Sequence, residues 1–165
     1  MIFRQATHTD TARILEIIQQ AQAQMHALGS SQWQNGYPAP ANIEADLVAG
    51  CGFVLADEHA VQAYGAAVFG EEPAYLEIEG RWLSENPYVV VHRLAVADGA
   101  KGHGVATEFM RQVEAMSHTK GIHSFRIDTN FDNRYMLQMI ATLGFTHCGT
   151  VYYNQSPRLA FEKLL

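Results

Sequence analysis

Val89-Val90-Val91-His92-Arg93-Leu94-Ala95-Val96, followed by Ala97-Asp98-Gly99-Ala100-Lys101-Gly102-His103-Gly104-Val105-Ala106, is the stretch whose reading decides the fold. Tyr88 to Val96 is the strongest strand signal in the chain, a β-branched run with no helical period. Gly99, Gly102 and Gly104 break it into a loop. Val105, Phe109, Val113 and Met116 then share one helical face, and Gly121 follows the end of that helix. A helix N-terminus offers unpartnered N–H groups and a positive dipole end, and glycines let an anion come close to the backbone. Pyrophosphate is the natural guest of such a loop; a tight turn with no ligand is the plainer alternative. No GxxxxGK[ST] string occurs. A dinucleotide fingerprint would need a glycine at Thr107 and would open the first strand–helix unit, whereas this loop follows several strands.

Outward from this segment the elements alternate. Met1 to Ala6 reads as a short strand. Thr9-Asp10 offers a cap to a helix whose apolar face is Ile14, Ile18, Ala21, Met25 and Leu28, ended by Gly29. Ser30 to Pro40 is a turn-rich loop carrying Trp33 and Tyr37, and a second helix runs from Asn42 to Ala49. Gly52 to Ala56 and Val61 to Phe69 form a hairpin, and Pro73 to Pro87 reads as irregular. Beyond the central helix, Ser124 to Asp128 is a strand with Arg126 and Asp128 on one side. Asp132 caps a fourth helix with Met136, Ile140 and Leu143 on one face, and strands Phe145 to Tyr153 and Pro157 to Leu164 close the chain. The order β-α-α-β-β-β-α-β-α-β-β predicts an α/β fold with a central mixed sheet, one domain over residues 1–165.

Composition narrows the function. With 165 residues, 48% of them hydrophobic and 17% charged, the chain can bury a full core and is too apolar for disorder. A net charge of -6 argues against gripping a nucleic-acid backbone. No apolar run approaches the ~20 residues that span a bilayer, and the N-terminus has no signal core, so neither a membrane nor secretion is expected and the location predicted is cytoplasmic. Cys51 and Cys148 form no redox or metal motif and read as reduced core residues, with a long-range disulfide left open. The histidines show no metal-ligand spacing, so no metal is expected. A homodimer is left open.

Leu94-Ala95-Val96 with Lys101-Gly102-His103-Gly104-Val105-Ala106 resembles the acetyl-CoA motif, [QR]xxGx[GA], of the GNAT superfamily of N-acetyltransferases, with Lys101 where Gln or Arg is usual. Asn133 to Gly144-Phe145 is similar to the family's second landmark, and the element order agrees. The resemblance implies a GNAT-like fold: a central mixed, mostly antiparallel twisted sheet of about seven strands flanked by four helices. It implies acetyl-CoA as co-substrate. Backbone groups of Leu94, Ala95 and Val96 would hold the pantetheine arm, and N–H groups from Gly102 through His103, Gly104 and Val105 to Ala106 would cradle the pyrophosphate. Asn133 would bond to pantetheine, or else serve as a second cap beside Asp132.

Transfer from a thioester to an amine needs a neutral amine, a stabilised oxyanion and a leaving thiolate. The backbone N–H at Val96 is the candidate oxyanion donor. His92 is the candidate base: it is the neutral titratable residue of its strand, it shares a face with Leu94 and Val96 by the two-residue period, and an imidazole's ordinary pKa of about 6.5 suits the task. A plain strand histidine is the alternative, and Glu77 or Glu79 could relay a proton through water. Ile140 stands where many family members carry the Tyr that acts as acid; Tyr152 and Tyr153 are outside chances, and a thiol of pKa about 8.5 can leave without full protonation. For the acceptor, Trp33, Tyr37, Tyr75 and Trp82 are candidate contacts, and the acidic balance suits a small-molecule amine. A protein N-terminus or lysine as acceptor, and a non-catalytic acetyl-CoA sensor, stay open.

Overall fold

The computed structural model describes residues 1–165 as four helices and eight strands. The strands are β1 (Ile2–Gln5), β2 (Gly52–Ala56), β3 (Val61–Phe69), β4 (Glu79–Gly80), β5 (Val89–Val96), β6 (Ser124–Thr129), β7 (Thr146–Tyr153) and β8 (Ser156–Leu164). The helices are α1 (Thr11–Ala27), α2 (Pro40–Ala49), α3 (Val105–Thr119) and α4 (Arg134–Thr142). Hydrogen bonds order the strands β1-β2-β3-β5-β6-β8-β7-β4. β5 and β6 are parallel, whereas β1–β2, β2–β3, β6–β8, β7–β8 and β4–β7 are antiparallel.

The mixed sheet is therefore as expected, with eight strands in place of about seven. The additional one, β4, lies inside the segment read as irregular and pairs Glu79 with Thr150 and Gly80 with Gly149. Two residues carry no periodicity, so composition could not reveal it. Glycine on both sides permits the approach: Gly80 has φ 137° and Gly149 φ 151°, and a β-carbon on either would collide with a carbonyl oxygen of the facing strand.

The chain forms two compact units, Met1–Ala67 with His92–Val113 and Val68–Val91 with Glu114–Leu165. In the first, Ile14, Ile17 and Ile18 of α1, Ile43 of α2, Val54 and Leu55 of β2, Tyr64 of β3 and Phe109 of α3 are buried. Each large aliphatic side chain so buried contributes about 1.5–3 kcal/mol. Ile17 joins the expected α1 face and Leu28 leaves it, being 38% exposed at the helix C-cap. Asp10 is not a side-chain cap of α1. Its carboxylate accepts the Thr7 N–H at 2.9 Å and two bonds from Arg4 at 2.8 and 2.9 Å, closing the short 3-10 turn that leads into the helix. The Arg4 hydrogen bonds are the main reason its carboxyl is held down at about 2. α2 starts at Pro40, two residues earlier than expected, because Asn42 Oδ1 accepts the Ala39 N–H and proline suits a first turn.

In the second unit, Tyr75, Val90, Val151 and Ala160 form a core against which Trp82, Tyr88 and Tyr153 pack. The parallel register of β5 with β6 is Val89 with Phe125 and Val90 with Arg126; β6 pairs along its whole length with β8. The cap of α4 is Asn133, not Asp132. Asn133 Oδ1 accepts the Met136 N–H at 3.3 Å, three residues on as a cap requires, while Asp132 accepts from Asn130 Nδ2 at 2.7 Å. No helix is long and apolar enough to cross a membrane.

Candidate functional site

The glycine loop is built in the first unit. Ala97 donates its N–H to Gln62 O at 2.8 Å, Asp98 donates its own to Gln20 Oε1 at 2.8 Å, and Ala100 closes a turn onto Ala97 O. The loop entrance is thus pinned to β3 and α1. Gly102 and Gly104 then take φ 78° and 74°, with open space where a β-carbon would stand. Both are exposed, and α3 begins at Val105. The N–H groups of its first turn have no partner within the helix and point with the dipole toward the loop. Backbone donors, positive dipole and room for an anion coincide here, so the residues present fit a pyrophosphate. Lys101, in the motif position of Gln or Arg, pairs with Asp98. His103 is exposed and Ala106 half-buried.

β5 departs from the period used to place His92. Arg93 has φ 56°, a left-handed conformation uncommon for a residue with a β-carbon. Burial along the strand accordingly runs buried through Val91, half-buried at His92 and Arg93, buried at Leu94 and Ala95, and half-buried at Val96. The two-residue alternation does not pass through Arg93, so His92 cannot be assigned the face of Leu94 and Val96 on that rule. Such bends gather at functional sites.

Arg93 and Asp46 escaped the sequence reading. Arg93 Nε donates to Asp46 Oδ2 at 2.8 Å, Nη2 donates to Oδ1, and Nη1 donates to the Tyr37 hydroxyl at 2.8 Å. Burial works against the guanidinium charge, but the Asp46 bonds and the neighbouring Tyr37 outweigh it and the pKa is raised. Asp46 also accepts from the fully buried Tyr64, whose phenol is pushed up by burial first and by Asp46 second. Tyr37 is therefore joined to β5 through Arg93. Trp33, half-buried with φ 63°, lies in the same loop. No local pattern announces an arginine–aspartate pair 47 residues apart.

In the second unit the aromatic candidates behave differently. Tyr75 is 1% exposed and donates its hydroxyl to Asp128 Oδ2 at 2.6 Å. Tyr75, a candidate acceptor contact by sequence, thus lies in the core of this unit. Trp82 donates Nε1–H to Tyr75 O and lies against Tyr75 on one side, with the Arg126 guanidinium 4.3 Å from its ring centre. Its surface is largely engaged within the protein. Asn133 spends its side-chain oxygen on the α4 cap. Ile140 is fully buried, so no hydroxyl stands at the position where Tyr was missed. Tyr153 donates to Asp128 at 3.3 Å, and the exposed Tyr152 donates to Glu79 at 2.8 Å. Cys51 and Cys148 are both free and half-buried.

The model of the acetyltransferase (GNAT) family matches residues 14–145. A solved GNAT-family acetyltransferase from Streptococcus agalactiae is 31% identical, over 99% of this chain and 95% of that one, with a TM-score of 0.90. An agmatine N-acetyltransferase is 15% identical over 99% of each chain with a TM-score of 0.71, and a chain of the NatC complex, solved with Gag peptide and CoA, is 11% identical over 99% of this chain and 98% of its own with a TM-score of 0.70. At those identities the likeness is one of fold. No curated protein matches the chain significantly. The strand–glycine loop–helix unit, the eight-stranded mixed sheet and these likenesses agree: the chain belongs to the GNAT family of acetyltransferases.

Proposed function

We propose that this acetyltransferase moves the acetyl group of acetyl-CoA directly onto the primary amine of a small molecule. The observation that carries the donor half is the Gly102–Gly104 turn. Two left-handed glycines, with open space where a β-carbon would stand, lead into a helix of 15 residues whose first N–H groups have no partner within the helix. In this reading N–H groups from Gly102 to Ala106 hold the pyrophosphate. Backbone groups of Leu94 and Val96 hold the pantetheine, and the parallel register with β6 having ended at Val90 supports that. The Val96 N–H stabilises the oxyanion and His92 takes the amine proton, while the thiolate leaves unassisted. The net charge of -6 and the Trp33–Tyr37 loop support a cationic acceptor.

Calorimetric titration with CoA tests the donor site. Gly104→Glu places a side chain and a negative charge where the anion belongs, and CoA affinity should fall at least about tenfold with circular dichroism unchanged. Gly104→Asn, tolerant of the left-handed conformation, controls for backbone strain. A folded Gly104→Glu protein that binds CoA as tightly as wild type overturns the assignment. Thiol release over amines, polyamines, amino acids and peptides tests the acceptor. Ile140 in the acid's place favours one rival, a sensor that binds acetyl-CoA without turnover; no release with any acceptor would establish it. Release with peptides alone would make the acceptor a protein.

A further inference from the structure

Arg93 joins three parts of the first unit: the bend in β5, the buried carboxylate on α2 and the hydroxyl of Tyr37 in the loop after α1. The Arg93 side chain is 14% exposed and that of Asp46 6%, so both charges are largely withdrawn from water and each depends on the other. Asp46 is itself fixed. Tyr64 of β3 donates to the same Oδ2 that Arg93 Nε reaches, and the Cys51 thiol lies at its other oxygen. A carboxylate held by Tyr64 of β3 and by the thiol just after its own helix favours one placement of a planar, two-pronged guanidinium. The backbone that carries the guanidinium takes φ 56°.

We propose that Arg93 is a positioning residue: its pair with Asp46 holds β5 in the left-handed bend that sets Leu94 to Val96, and its bond to Tyr37 ties the Ser30–Pro40 loop to that strand. The inference rests on the reading of β5 as the acetyl-CoA strand. One side chain then sets the geometry of the donor strand and of the loop offered for the acceptor. A purely stabilising ion pair would have no reason to carry a bend in the strand, nor to extend to an exposed loop tyrosine.

The test separates the bend from the ion pair. Arg93→Ala and Arg93→Gly both delete the guanidinium, but only glycine adopts positive φ freely. In calorimetry with CoA, Arg93→Ala should bind about tenfold more weakly than wild type while Arg93→Gly stays within about threefold. Should Arg93→Ala fail to fold, Asp46→Asn, which keeps the shape of the site and weakens the pair, is expected to show the same tenfold loss. The tether is read in a Trp82→Phe background, where Trp33 is the remaining tryptophan. Tyr37→Phe should raise acrylamide quenching of Trp33 about twofold, as expected of a loop released from its anchor. Equal CoA affinities for the Ala and Gly variants, with Trp33 quenching unchanged in Tyr37→Phe, overturn the proposal. A wild-type protein that binds no CoA instead overturns the function proposed above, and the quenching arm then still decides whether the tether exists.

Discussion

Replacing Glu162 with Gln should destabilise the protein by about 3 kcal/mol. Glu162 is fully buried on β8. One of its oxygens accepts from Ser84 Oγ at 2.8 Å and Ser124 Oγ at 2.6 Å and lies 3.3 Å from Arg126 Nε; the other accepts the Leu83 N–H. Gln preserves the volume, removes the charge and turns one acceptor into a donor. Removing one partner of a buried pair costs about 3–5 kcal/mol, because the remaining charge is stranded. The lower end applies here, since Arg126 still donates to Ser84 O at 2.6 Å and stays 4.3 and 4.1 Å from the ring centres of Trp82 and Tyr88. For a chain of this length 1 kcal/mol is about 2–4 °C, so Tm should fall by roughly 6–12 °C. Urea unfolding beside thermal melting measures it.

The pH dependence gives an independent check on the same carboxylate. Burial pushes the Glu162 carboxyl up, but the Ser124 and Ser84 hydroxyls, Arg126 and the Leu83 N–H together leave it below its ordinary value. A lowered pKa means stability that is present above the ordinary carboxylate range and disappears as pH falls through the folded value. The gap between wild type and Glu162→Gln should therefore narrow on acidification. Adding Arg126→Met to Glu162→Gln removes the stranded charge and should recover part of the loss. A loss below about 1 kcal/mol, or a gap that does not depend on pH, refutes the reasoning.

Asp10→Asn should cost about 1 kcal/mol near neutrality, less than the roughly 2 kcal/mol that a pKa of about 2 implies, because Arg4 is 41% exposed; wild type should lose this as pH falls from about 4 to 2 while the variant stays flat. His92→Ala should lower kcat by about a hundredfold or more and abolish the acidic limb of the pH–rate profile, measured by thiol release with the best amine of the screen. A limb surviving at the same apparent pKa assigns it to another group or to the amine.

The elements that local signals control were legible in the chain itself. The strand–glycine loop–helix unit at Val89 to Met116, the hairpin Gly52 to Phe69 and the order of helices and strands follow from hydrophobic period and glycine punctuation, and both act within a few residues. The loop's fitness for an anion belongs to the same class, since a helix N-terminus creates its own donors. Tertiary structure decided what depends on groups far apart. β4 exists because Gly80 meets Gly149, and Tyr75 is core because Asp128, 53 residues on, receives its hydroxyl. The bend at Arg93 answers to Asp46, a carboxylate on another element, and so breaks a period that the residues of β5 alone would keep. Even the α4 cap moved by one residue, from Asp132 to Asn133, because which side chain reaches the Met136 N–H depends on the path of the chain entering the helix. A side chain's partner is a property of three-dimensional proximity; neither its type nor its spacing along the chain encodes it.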